Sequence, residues 1–320
     1  MRLYKKAAAC LLTAAMAISM LTACGGGGNG GNGGGNTPST LPDDPDQIVL
    51  PDPGDGEGGE GGGAGGGEGT ETKPTKTPIA VNSSKLAKFR ENGATEFYLE
   101  AQEVEYGKDG SAEDSTDGFV AVKDGNVYMK ATQNQQLVEE LMLKEDDYNN
   151  DYLLFSGSKV AVRTSSYPSQ NDDNISLGIF IADTLPDLMW STEVKVGPTK
   201  YYAEVYNLYS YEFTTCFTPD GKPVYRFVRK LNEKQLDSAT LYKTIQAGSG
   251  TSKGLCRMPD GFKTYSYDFR NKTLTDVNDN VFTIETNDKG DVTSVKDNTG
   301  KDVSDDLKWA YDFYKMVSRR

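Results

Sequence analysis

The 320-residue chain contains no histidine. His-based catalytic triads, HExxH zinc sites and an imidazole general base are therefore excluded. Cysteine is scarce, with Cys10, Cys24, Cys216 and Cys256 the full set. Two of them beyond residue 24 are too few for a structural zinc site. No GxxxxGK[ST] occurs, and no GxGxxG follows a strand pattern, so those phosphate-cradling loops are missing too. Aromatic residues are absent from 25–88, although the chain has 18 Tyr, 12 Phe and 2 Trp. Positive charge is in deficit, with 34 Lys and Arg against 47 Asp and Glu. Such a surface repels phosphate backbones and anionic head groups. Nucleic acid is not an expected partner, and neither is a bilayer held by basic side chains. No cofactor and no metal ion is expected.

What is present begins with Met1-Arg2-Leu3-Tyr4-Lys5-Lys6, a short basic segment. The 15 residues from Ala7 to Leu21 carry no charge. That length suits the apolar region of a signal peptide and is short for a membrane-spanning helix. Leu21-Thr22-Ala23-Cys24 follows. These four residues resemble the lipobox of bacterial lipoproteins: aliphatic, small, Gly/Ala/Ser, then Cys. The resemblance implies a signal peptide over 1–23, a diacylglyceryl group on the Cys24 thiol, and cleavage that frees the Cys24 amine. It implies an extracytoplasmic protein held in the outer leaflet of a bacterial cell membrane. Two or more acyl chains give stable anchoring, since each buried methylene adds about 0.8 kcal/mol. Removing Arg2, Lys5 and Lys6 brings the mature formal charge to −16.

Glycine is concentrated early, with 20 of 35 residues between Gly25 and Ile79, beside 7 of 13 Pro. Runs such as Gly61-Gly62-Gly63 cannot bury apolar surface. Residues 24–80 therefore read as an acylated Cys followed by a disordered tether rich in Gly, Pro, Asp and Glu. Its random-coil span is roughly 40 Å. Ile48-Val49-Leu50 within it reads as incidental rather than as a docking motif.

Residues 81–320 read as one α+β domain, with a small subdomain possible from about 248. Some 230 residues of this composition can bury one substantial core. Strand patterns dominate. Phe119–Lys123 and Asn126–Lys130 flank Asp124-Gly125, whose positive φ angles suit a two-residue hairpin turn. Tyr152–Phe155 and Lys159–Arg163 flank a second turn. Tyr201–Phe217 and Val224–Lys230 read as the long arms of a third hairpin. Ala239–Ile245, Lys263–Phe269, Val281–Glu285 and Val292–Lys296 read as further strands. Short connections imply antiparallel order. A helix is expected over Ser83–Asn92, and Gln136–Lys144 fits either helix or strand. Ser304–Ser318 is the clearest helix, with Ser304 as its N-cap and a stripe of Trp309, Ala310, Phe313, Tyr314 and Val317. The expected fold is an antiparallel, meander-rich curved sheet, a half-barrel, packed on a few helices with one at the C-terminus. From Lys85 to Ala247 this pattern resembles the LolA/LppX type of half-barrel lipoprotein domain. That resemblance implies a curved sheet wrapping a helix around a lipid-sized cavity.

Three local patterns bear on chemistry. Ser156-Gly157-Ser158-Lys159 matches S-x-x-K by letter, but it sits in a hairpin turn, with no S-D-N or K-T-G elsewhere. Asp276–Asn280 fails as an EF-hand start, since the sixth and twelfth positions are Val281 and Asn287. It and Asp288–Asp291 read as turns. By strand alternation Cys216 shares a polar face with Ser210, Glu212 and Thr214, which suggests a disulfide to Cys256; an anaerobic host would leave both thiols free. Closing that loop would contribute roughly 4 kcal/mol. The run Tyr201–Tyr211 carries tyrosine on both faces. Tyr202, Tyr206 and Leu208 form a candidate ligand platform, and a sheet covered on both faces is the favoured alternative.

The chain is thus expected to be a non-enzymatic binding or scaffold lipoprotein, with an apolar or lipid ligand as one guess. A glycan-binding or carbohydrate-active surface protein is the alternative, and an accessory subunit of a membrane complex is a third. The expected partners are the membrane, through the anchor, and an apolar, glycan or protein ligand.

Overall fold

The structure, a computed structural model, describes residues 41–42, 45–53, 74–91, 93–133, 136–169, 175–182, 186 and 188–318. The expected signal peptide, the lipobox-like residues with Cys24 and most of residues 24–80 lie outside the described residues.

Local chemistry builds the first meander. It runs through β3 (Phe97–Tyr106), β4 (Ala112–Lys123), β5 (Asn126–Gln133), β6 (Gln136–Glu145), β7 (Tyr148–Phe155) and β8 (Val160–Pro168), each antiparallel to the last. Asp124 and Gly125 turn β4 into β5 at φ 52° and 81°, the left-handed backbone that a twisted two-residue hairpin demands. Gln136–Glu145 resolves as strand. Its apolar residues divide between two buried faces, which imitates helical spacing in the sequence.

A second meander follows: β9 (Met189–Val196), β10 (Thr199–Leu208), β11 (Tyr211–Phe217), β12 (Pro223–Lys230) and β13 (Ser238–Ala247). The expected long arm Tyr201–Phe217 is corrected here. It breaks at Tyr209 and Ser210, where Tyr209 adopts φ 56°, and becomes β10 and β11. The meanders merge because β13 returns beside β3, with Tyr242 opposite Ala101.

The chain then crosses to the far side of the first meander. β14 (Lys263–Asp268) pairs in parallel with β8. A parallel neighbour needs a connection of a dozen residues or more, and 248–262 supplies it. β15 (Thr273–Asp276), β16 (Val281–Thr286) and β17 (Val292–Asp297) continue antiparallel. The segment after 248 thus extends the same sheet. The order across it is β9, β10, β11, β12, β13, β3, β4, β5, β6, β7, β8, β14, β15, β16, β17. Among the described residues no pairing joins β17 to β9, so the sheet is curved and open.

Three helices lie on one face, here the inner face: α1 (Lys85–Glu91), α2 (Leu177–Ala182) and α3 (Trp309–Ser318). Leu86 of α1 with Phe180 and Ile181 of α2 pack against Phe97, Leu99, Val120, Val122, Met189 and Phe217. The α3 stripe Trp309, Ala310, Phe313, Tyr314 and Val317 packs against Leu153, Val160, Val162, Leu274, Ile284 and Val295. Each such side chain contributes about 1.5–3 kcal/mol by leaving water. The fold is α+β with a C-terminal helix. That helix starts at Trp309, five residues later than expected. Ser304 does not cap it; its hydroxyl accepts the Val295 N–H at 2.9 Å, tying the approach segment to β17.

The outer face carries two more clusters. The 248–262 crossover covers one, placing Leu255, Cys256, Met258 and Phe262 on Tyr98, Tyr128, Leu141 and Tyr152. The other is covered by residues expected to be tether. β1 (Ile48–Val49) pairs with Val196 and Lys195, and β2 (Thr77–Ile79) pairs with Ser191 to Met189, both on the free edge of β9. Leu41, Ile48 and Leu50 pack on Val194, Val196, Ala203, Tyr225 and Phe227. For these residues the tether reading is corrected: Ile48-Val49-Leu50 is a docking segment. Its three apolar side chains between prolines find an edge strand with an uncovered apolar face.

Candidate functional site

The proposed platform on β10 is taken apart by the packing of α1. Tyr202, Tyr206 and Leu208 do share a face, but it is the inner one. Tyr206 is fully buried and stacks on Phe213 with ring centroids 5.2 Å apart. Leu208 packs half-buried at the margin of the same cluster. Tyr202 alone stays 40% exposed, its hydroxyl donating to Glu204 Oε1 at 3.0 Å. Glu204 explains the arrangement. Its two oxygens accept the Lys85 and Leu86 N–H groups at 2.7 and 2.8 Å, satisfying orphan donors at the start of α1. Ser84 adds a cap, its own hydroxyl accepting the Ala87 N–H at 2.9 Å. Lys85 Nζ then lies 4.8 Å above the Tyr202 ring. These tyrosines seat a helix, and at β10 the sheet is covered on both faces.

A buried polar row crosses the same face. Cross-strand register lines up Glu204, Thr215, Arg226, Thr240, Glu103 and Thr116 on six successive strands, all buried. The Arg226 guanidinium sits 4.7 Å over the Phe213 ring. Burial pushes the Glu103 carboxyl up to about 8, with the Arg226 charge opposing. Desolvation likewise raises the buried Tyr242 phenol, and Arg226 again works against the shift.

The two cysteines do not meet. Both are free thiols. Cys216 lies on β11 between Ala203 and Tyr225, beneath the N-terminal segment. Cys256 lies on the crossover against β3, β5 and β6. Three to six strand spacings of about 4.8 Å separate these places, whereas a disulfide needs Cα atoms within about 7 Å. The expected Cys216–Cys256 bridge is therefore corrected. The face thought polar and exposed is covered, so a lone Cys there needs no partner. Burial raises both thiols, Cys256 to about 11.

Glu212 on that covered face shows how the N-terminal segment is clasped. Lys76 Nζ donates to Glu212 Oε2 at 2.6 Å. Arg229 Nε donates to Glu212 Oε1 at 2.8 Å, and an Arg229 Nη2 bond reaches the Pro51 carbonyl at 2.6 Å. All three charged side chains are at least 96% buried. Two separate stretches of the segment, at 51 and 76, thus close on one buried ion cluster.

The acidic turns behave as turns. Asp276 accepts the Asn278 and Asn280 N–H groups at 2.8 and 2.9 Å, and Asn287 accepts those of Lys289 and Asp291. Among the described residues no group of three Cys, Asp or Glu side chains is placed to hold a metal ion. Ser156, in the β7–β8 turn, donates to Glu139 on β6.

A shallow cleft lies elsewhere, where β8, β14 and β16 meet the segment leading into α3. This cleft measures about 510 Å³. Phe282 lines it, and Tyr265 and Trp309 touch it only with their edges, being 7% and 6% exposed. The Tyr265 ring is 4.9 Å from Trp309 and 6.1 Å from Phe282, centroid to centroid. Lys263, Asp305, Asp306 and Lys308 stand around it, exposed. Lys308 Nζ lies 3.5 Å from Asp305. Burial, with the Asp276 charge adding, raises the Tyr265 phenol, so its hydroxyl keeps its proton as a donor. A second cleft of about 470 Å³ lies at the sheet end between the β3–β4 and β12–β13 turns, lined by Tyr106, Lys108, Glu113, Glu233 and Asp237.

No protein-family model matches the chain, and no curated protein matches it. Among solved structures, an uncharacterized conserved protein from Thermus thermophilus is similar over 57% of this chain and 96% of its own. The identity is 12% and the TM-score 0.34. The reading of the site therefore stands on its own geometry.

Sequence reasoning found the parts of the cleft without joining them. Trp309 was legible as part of a helix stripe, and Tyr265 and Phe282 as strand residues. Their meeting depends on the parallel return of β14 to β8, which no short-range pattern announces.

Proposed function

We propose that the chain is a membrane-anchored extracytoplasmic lipoprotein whose folded body acts as a non-enzymatic binding or scaffold protein. The Leu21–Cys24 box carries this reading, together with the uncharged stretch before it. Docking of Ile48–Val49 and Thr77–Ile79 on β9 adds a directional element. Seventeen residue steps separate Cys24 from the buried Leu41. Fully extended they reach about 60 Å, so the β9 edge is the part of the body tied nearest to the lipid. A body held this way works just above the membrane. The inner face between the sheet and α1 and α2 is filled by Leu86, Phe97, Phe180, Ile181 and Tyr206. That packing weighs against a lipid carried there and favours recognition at the surface.

The test is metabolic labelling with an alkyne-tagged palmitate, followed by fractionation of cells expressing the full chain. Wild type is expected in the membrane fraction and labelled. Cys24→Ser is expected to lose the label and to accumulate uncleaved or be released. A Cys24→Ser protein that is still labelled and retained as wild type overturns the anchor.

A further inference from the structure

We propose that residues 45–53, docked on β9 together with Leu41, are a releasable clasp that sets how far the body stands from its lipid anchor. The proposal deepens the reading of the chain as an anchored lipoprotein and rests on it. Among the described residues, the chain ahead of α1 is held to the sheet at two places. The first hold is β1, whose Ile48 and Val49 pair with Val196 and Lys195, with Leu41, Ile48 and Leu50 packed on the outer face. The second is β2 with Lys76, whose ammonium meets Glu212 at 2.6 Å. Counted from Cys24, the first hold leaves 17 residue steps of chain, to Leu41, and the second leaves 52, to Lys76. Fully extended these reach about 60 and 180 Å. Opening the first hold while the second stays shut triples the reach of the anchored chain.

Three features let the first hold open alone. It is small, resting mainly on two ladder pairs, the Gly197 N–H on the Gln47 carbonyl at 2.9 Å, and three apolar side chains. Elements held by so few contacts lie at the low-stability end of a structure. Its departure orphans no charge. Arg229 Nη2 gives up the Pro51 carbonyl, but Arg229 Nε still donates to Glu212 Oε1 at 2.8 Å, and Lys76 still donates to Oε2. Opening the second hold instead would take Lys76 from a carboxylate that is 1% exposed, and breaking a buried pair in that way is costly. The connection is also slack. Val49 and Thr77 lie opposite Lys195 and Ser191, four residues apart on β9, a span of roughly 13 Å. In sequence they are 28 residues apart, so β1 can leave by tens of ångströms, on the order of the spare chain length, without disturbing β2. Position supplies the direction: a pull on the lipid anchor reaches β1 before it reaches β2.

Two measurements test the release and its consequence. The mature chain with Cys24→Ser, free of lipid, is followed by native-state hydrogen exchange. The Gly197 amide, which donates to Gln47, and the amides that β1 shares with β9 are expected to exchange at least about tenfold faster than those between β10 and β11, in an opening independent of denaturant. Exchange of these amides only together with the β10–β11 ladder would overturn the release. The acylated full chain is then placed on a supported bilayer, and neutron reflectometry reads the height of the body. The disulfide variant Val49→Cys/Lys195→Cys locks the hold, since residues directly opposite on paired strands lie within disulfide reach. Ile48→Asp opens it, because Ile48 is packed in the covered face; Ile48→Ala/Leu50→Ala takes its place if the charge prevents folding. The opened chain is expected to stand at least about 10 Å higher than the oxidised lock. Equal heights for the two would overturn the proposal. A chain that leaves the bilayer altogether counts against the anchor and not the clasp, which hydrogen exchange judges without lipid.

Discussion

Glu103 sits near the middle of the inner face, in a row whose other charged members are Arg226 and Glu204. The row is expensive to bury, and an incompletely compensated charge there shows as a pH dependence. Unfolded, the Glu103 carboxyl ionises near 4.5; folded, burial holds it at about 8. Between those values the folded chain keeps a proton that the unfolded chain has released. The stability contributed is present in full below about pH 4.5 and is lost as pH rises through about 8. Glu105, raised to about 7 by burial and by Asp114 and Glu113, acts in the same direction. Surface carboxylates such as Asp276 and Asp297 are lowered by hydrogen bonds and titrate outside this window. The melting temperature should therefore fall between about pH 5 and pH 8. In Glu103→Gln the fall should be shallower, because an amide cannot ionise. A slope identical in the variant would remove Glu103 from the account.

At the scale of elements, the decisive piece is the N-terminal segment that lies along β9. Ile48 is 9% exposed and packs in the cluster that contains Cys216. Ile48→Asp replaces that contact with a charge that has to leave the surface. We expect a loss of about 2–4 kcal/mol, measured as a lower urea midpoint. Lifting the segment should also uncover Cys216, so an aromatic disulfide reagent should modify it faster while the rate at Cys256, under the 248–262 crossover, stays as in wild type. Unchanged Cys216 reactivity would mean that the segment does not cover this face. The sequence hid this element because Ile48–Val49 is two residues long and surrounded by Gly and Pro. The β4–β5 hairpin was legible because Asp124-Gly125 states its own turn chemistry. The β10–β11 turn was not, since Tyr209 supplies the left-handed backbone that Gly or Asn usually does. The stripe of α3 was legible from its spacing, whereas α2, with six residues, is too short to show a period. The platform alternative at Tyr206 and the disulfide expected at Cys216 fail for one shared reason. Strand alternation tells which residues face together, but not which face another part of the chain will cover.

For the molecule as a whole, the open sheet raises the question of how its edges and its seam are held. The β9 edge is occupied at both ends by β1 and β2. The β17 edge is met by the Asp302–Ser304 stretch, through the Lys296–Asp302 bridge and the Val303 N–H to the Val295 carbonyl at 2.8 Å. Both edges are thus blunted against pairing with other chains. The seam is different. β8 and β14 are matched over only four residue pairs, Val160–Arg163 with Lys263–Ser266, in the parallel arrangement. One side-chain bond reinforces it, from Arg163 Nη2 to Ser266 Oγ at 2.8 Å. Beyond that ladder the seam is bridged by packing: α3 touches β7 and β8 on one side and β14–β17 on the other. A short ladder supported by one helix is a natural boundary between cooperative units. In native-state hydrogen exchange, β14–β17 amides should open together, at a free energy below that of β3–β5 by about 2 kcal/mol or more. Phe313, fully buried against both sides, should control the gap. Phe313→Ala, at a cost of about 3–5 kcal/mol, should lower protection in β14–β17 and leave β10–β12 nearly unchanged. Equal loss across both regions would show instead that the sheet unfolds as one unit, and that α3 stabilises all of it rather than bridging a seam.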